Sequence, residues 1–103
     1  MAIRIVRLGS PRAKDEGLRL GTVRRPPRGV PKAEFASRDF YDVWFPTLAP
    51  SLELMKQAHA ADTPAAWKAF TAKFRAEMAR PDAAHALDLL AALSHTTNLA
   101  VGC

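Results

Sequence analysis

"DAAHALDLLAALSHTTNLAVGC", residues 82–103, is the stretch on which the fold class turns. Its first part repeats Leu and Ala at helical spacing, with Leu87, Leu90 and Ala91 on one side and Leu93 nearby. Asp82 is placed to cap that helix. "TTNLAVGC" then reads as a strand. A helix that feeds a strand this late in the chain returns it to a sheet built from earlier strands. A strand reached through helices pairs in parallel. The expected fold is therefore α/β, a single small layered domain over residues 1–103, with a mostly parallel sheet and packed helices.

The rest of the chain supplies the partners. "DTPAAWKAFTAKFRAEMAR" (62–80) is the clearest helix. Thr63 or Asp62 can cap it, and Pro64 suits its first turn. Trp67, Phe70, Phe74 and Met78 make one apolar stripe, read as core packing and not as a base-stacking platform. "APSLELMKQAHAA" (49–61) is a second helix, with Ser51 as N-cap and Leu52, Met55 and His59 on one stripe. Three strands precede it. "AIRIVRL" (2–8) sets Ile3 and Ile5 on one face and Arg4 on the other. "LRLGTV" (18–23) is the second strand. "YDVWFPTL" (41–48) begins as a third, with Tyr41, Val43 and Phe45 on one face, and Pro46 ends it. "RAKDEG" (12–17) is a polar loop, in which Asp15 and Glu16 read as a solvated charge run.

With 103 residues the chain makes one domain. Hydrophobic residues reach 49%, but many are alanine, so the core rests on the aromatic and branched residues. The net charge of +5 favours phosphates, nucleic acid or acidic partners. Cys103 is the one cysteine, which excludes an internal disulfide and a closed zinc site within the chain. His59, His85 and His95 match no local ligand spacing, so no metal is expected. No phosphate loop or dinucleotide fingerprint is present, and no cofactor is expected. No stretch is long and apolar enough to span a membrane, and the N-terminal apolar run is too interrupted for a signal peptide. A cytoplasmic location follows as the default.

The chemistry concentrates in "GTVRRPPRGVPKAEF" (21–35). Arg24, Arg25 and Arg28 stand on a backbone stiffened by Pro26, Pro27 and Pro31. Guanidinium groups hold carboxylate or phosphate in bidentate fashion, and a preset loop loses less entropy on binding. Gly29 allows positive φ. The competing reading is a rigid surface crossing whose arginines pair with Glu34 or Asp39.

These residues also resemble a known family. "RRPPRGVPK" is similar to the "DRLWPRGLSK" signature of domain of unknown function 488, the YeaO-like group. "YDVWFPTLAPSLELMK" resembles that family's "LWLKDLAPSxELRKW" block, and "AAWKAFTAKFRAEM" its "ERWEEFRRRYRAEL" helix. The resemblance implies an α/β fold and transfers no settled activity. By position, Arg24, Pro27, Arg28 and Gly29 match the arginine-rich motif. Arg25 and Pro26 stand where the family often has Leu and Trp. Some relatives continue past a position like Cys103 into a "CYCEDExxCHR" run and another helix, which implies that the C-terminal part of the family domain is missing here.

Open α/β sheets bind ligands beyond the carboxyl ends of their strands. Cys103 falls at such an end and is the candidate nucleophile, since a nearby arginine favours thiolate. Two functions are expected from this pattern. One is a pocket for a small anion or phosphate-bearing ligand held by Arg24, Arg25 and Arg28, as an enzyme site in longer relatives. The other is a non-catalytic module binding nucleic acid or an acidic protein through a broad basic face, widened by Arg4, Arg7, Arg12, Lys14, Arg19 and Lys32. An uncovered sheet face or helix stripe would favour homo-oligomers.

Overall fold

The structure is a computed structural model and describes residues 2–103. Four strands, β1 (Ile3–Val6), β2 (Leu18–Gly21), β3 (Val43–Trp44) and β4 (Leu99–Gly102), form one sheet in the order β1-β4-β2-β3. Every pairing is parallel. Three helices, α1 (Leu52–Ala60), α2 (Pro64–Met78) and α3 (Pro81–Leu93), lie between β3 and β4. The α3–β4 junction thus delivers the last strand into the middle of the sheet. This is the α/β domain with a parallel sheet that the sequence predicts.

Register decides which side chains share a face. Leu99 lies opposite Ile3 and Leu18, and Val101 opposite Ile5 and Leu20. Parallel neighbours in register point the same way. Leu20 and Leu99 join Leu48, Ala83 and Leu90 in the core, with Phe45, Met78, Ala86 and Val101 packed around them. Each such leucine contributes about 1.5–3 kcal/mol by leaving water. This helix-covered face ends short of β1, where Ile5 is 89% exposed.

The other face carries Arg19 and Gly21. It is covered by the loops before β2 and β3 rather than by helices. A Cβ at Gly21 would run into the Tyr41 ring, and one at Gly102 would meet the Val6 carbonyl oxygen. Tyr41 therefore lies on the side opposite Leu20 and Val43. The expected shared face of Tyr41, Val43 and Phe45 is corrected, because the strand begins only at Val43.

The helix ends follow their capping chemistry. The Ser51 hydroxyl accepts from the Leu54 N–H at 3.3 Å, and the Thr63 hydroxyl from Ala66 at 3.1 Å. Asp82 does not cap α3. The helix starts two residues earlier than an Asp82 cap implies, at Pro81, with Arg80 in the cap position and no side-chain cap. Its buried stripe is correspondingly Ala83, Ala86 and Leu90, while Leu87 and Ala91 face outward. In α1 the buried residue is Leu54, not Leu52. Trp67 stacks on Phe70 at 4.9 Å but stays 54% exposed; α2 packs chiefly on α1 and α3 and reaches the sheet core through Met78 at its end.

Candidate functional site

The connection that follows β2 runs over the loop face, and the one that follows β3 enters the helices on the opposite face. Their carboxyl ends therefore diverge, which is where open α/β sheets leave a crevice. A cavity of about 510 Å³ lies there. Arg24 comes from the loop after β2. Pro46, Thr47 and Ala49 come from the turn after β3, and Ser51 and Glu53 from the start of α1. Glu77 comes from the last turn of α2, Arg80 from the α2–α3 connection and Asp82 from the first turn of α3.

Arg24 is half-buried and anchored from below. Its Nε donates to the Pro50 carbonyl oxygen at 3.0 Å and its Nη2 to that of Ala49 at 2.8 Å. The Nη1 group makes no hydrogen bond among the described residues, and no carboxylate pairs with Arg24. The guanidinium is thus oriented by neutral oxygens and keeps donors for a ligand. Across the cavity, α3 begins without a side-chain cap, so its first-turn N–H groups add positive potential.

The cavity is not purely cationic. Glu53, Glu77 and Asp82 face Arg24 and Arg80 in it. Burial pushes the Glu77 carboxyl up. Hydrogen bonding from Ser51, whose N–H donates at 3.0 Å, and the charges of Arg80 and Arg24 outweigh burial, so the net direction is down. Glu77 is therefore an ionised acceptor at neutral pH. The site can hold an anionic group beside hydroxyl or amine donors.

Residues 3–103 match the family model described as the active DUF488-N3 subclade. The chain belongs to the DUF488 family. No match was found among curated proteins or among solved structures.

Within this DUF488 domain the predicted arginine trio separates. Arg25 and Arg28 are exposed and do not line the Arg24 cavity. Neither they nor Arg24 pair with Glu34 or Asp39, the partners expected for a structural crossing. Asp39 goes to Arg12 instead, at 3.4 Å. Gly29 has φ +72, as its loop position predicts. Cys103 is exposed at the carboxyl end of β4. Its carbonyl oxygen accepts from the Leu8 N–H, and its side chain is not among those lining the cavity. Among the described residues no group of three His, Cys, Asp or Glu could hold a metal ion, and no helix is long and apolar enough to cross a membrane.

The broad basic face loses members in the DUF488 fold. Arg19 is wholly buried against Glu16, Arg12 pairs with Asp42 and Arg4 with Asp15. The reading of Asp15 and Glu16 as a solvated run is corrected for Glu16, which is buried against Arg19, while Asp15 stays exposed in its pair with Arg4. Arg80, Glu53, Glu77 and Asp82 went unrecognised as site residues. The available signal was Pro81 directly after Arg80, since proline suits a first helical position and so puts Arg80 at a helix start.

Proposed function

We propose that the protein binds a small phosphate-bearing ligand in the cavity at the carboxyl ends of β2 and β3. Arg24 holds the anionic group, and the ligand's hydroxyl or amine groups meet Glu77, Glu53 and Asp82. One observation carries this reading: Arg24 is fixed by two backbone carbonyls in a cavity wall, and no carboxylate among the described residues pairs with it. A cavity of about 510 Å³ falls within the range of small-ligand sites. The matched subclade is described as active, which supports a working site in this chain. Arg25 and Arg28 act as exposed charges that steer the ligand inward, and Cys103 takes no part in binding.

The alternative, a nucleic-acid module, is favoured by Arg7, Lys14, Arg25, Arg28 and Lys32, which are exposed and form no ion pair among the described residues. Titrating a sugar phosphate and a short single strand against rising salt separates the two. The pocket reading predicts saturable binding of the sugar phosphate, lost in Arg24→Gln and only weakened at low salt in Arg25→Gln. The surface reading predicts strand binding that falls linearly with log salt and barely notices Arg24→Gln.

A further inference from the structure

A second cavity, of about 360 Å³, opens on the loop face of the sheet. Trp44, Tyr41, Phe35 and Pro26 give it flat apolar walls, with Lys32 and Asp42 as its charged groups. It shares no lining residue with the Arg24 cavity.

Three features give it chemistry. The Trp44 indole is held in place by its Nε1, which donates to the Val23 carbonyl oxygen at 2.8 Å, yet the residue is only half covered. A fixed, accessible indole is a stacking surface. Asp42 is oriented through one oxygen only. Its Oδ2 accepts from the Arg12 guanidinium and from the Arg19 N–H, both at 2.8 Å. Its Oδ1 receives no hydrogen bond among the described residues. Lys32 is exposed, and no carboxylate pairs with it among the described residues. A bare cation suits the box poorly, since Lys32 and Arg12 both stand beside it. A planar ring with an N–H donor suits it well, because an ionised carboxylate can only accept.

We infer that this aromatic cavity is a second binding site, for a nucleotide whose base carries a ring N–H or amino donor. The ring stacks on Trp44, a ring N–H or amino group donates to Asp42 Oδ1, and Lys32 meets the attached phosphate. This goes beyond the Arg24 cavity and does not depend on it.

The protein has two tryptophans, so Trp67→Phe leaves Trp44 as the sole indole reporter. Guanosine 5′-monophosphate added to this variant should quench the emission saturably, and ribose 5-phosphate should not. Lys32→Ala, at an exposed position, should weaken the nucleotide several-fold and leave guanosine unchanged. Trp44→Leu, followed by calorimetry, should lose about tenfold or more in affinity, the size of one base stack. Arg24→Gln should leave the Trp44 response intact, so failure of the first site does not remove the second. The inference is overturned by the absence of saturable quenching, by equal quenching from ribose 5-phosphate, or by a response to oligonucleotides alone.

Discussion

Arg19 donates two parallel hydrogen bonds to Glu16, from Nε at 2.7 Å and from Nη2 at 2.8 Å, with neither side chain in contact with solvent beyond a few per cent. Its Nη1 donates to the carbonyl oxygens of Ser10 and Asp39. One side chain on β2 therefore ties the loop after β1 to the loop before β3. These two loops are the cover of the sheet face that has no helix.

Breaking that pair should be among the most damaging single changes in the domain. Glu16→Ala leaves a buried guanidinium short of its counter-charge and should destabilise by about 3–5 kcal/mol. Urea denaturation of the variant measures it. Lys14→Ala, on the same loop but exposed, should shift stability by about 0.5 kcal/mol or less.

Acid should act through the same network. The hydrogen bond from Arg19 holds the Glu16 carboxyl below its usual range despite burial. Burial pushes Asp42 up, but bonds from Arg12 and the Arg19 N–H bring its net direction down. Such groups bind protons more readily unfolded than folded. Their stabilisation is complete above the ordinary carboxylate pKa of about 4 and is lost as pH falls below it through the folded values. Thermal denaturation should be nearly flat from pH 7 to about 5 and then fall. Glu16→Gln should show a shallower acid slope.

Gly21 is required by Tyr41. Gly21→Ala would drive a methyl group into the ring and should destabilise by about 1–3 kcal/mol or more. Gly29→Ala meets no neighbouring atom, and its loss comes only from the positive φ, about 1 kcal/mol. Calorimetric melting of the two variants should rank them in that order.

The edge strand β1 leaves Ile5 almost fully exposed beside Ile3. Exposed apolar edge strands template self-association. Sedimentation velocity should therefore show concentration-dependent association, and Ile5→Lys should reduce it with little change in melting temperature. A monomer at all concentrations contradicts this expectation.

Much of the scaffold was legible because it is local. The caps at Ser51 and Thr63 lie within four residues of the groups they satisfy, and the α3–β4 junction announces a parallel strand by itself. The loop face was not legible. Glu16 and Arg19 look like ordinary surface charges until β2 carries Arg19 inward beneath two separate loops. Tyr41 misled for a related reason: alternation predicts its face only if the strand reaches it, and the ladder begins at Val43. The site was half readable. The prolines after Arg24 correctly exclude helix there, but the other lining residues Glu77, Arg80 and Asp82 arrive from around the α2–α3 junction far along the chain, and nothing near Arg24 names them.

The central claim is that Arg24, and not the exposed arginines beside it, receives the anion. Arginine side-chain NMR during titration with inorganic phosphate tests this most directly. The account predicts that the Arg24 guanidinium resonance moves saturably, together with backbone amides at the start of α3, while Arg25 and Arg28 move little at physiological salt. Unchanged Arg24 resonances alongside shifting Arg25 and Arg28 would contradict it and leave a surface interaction in its place.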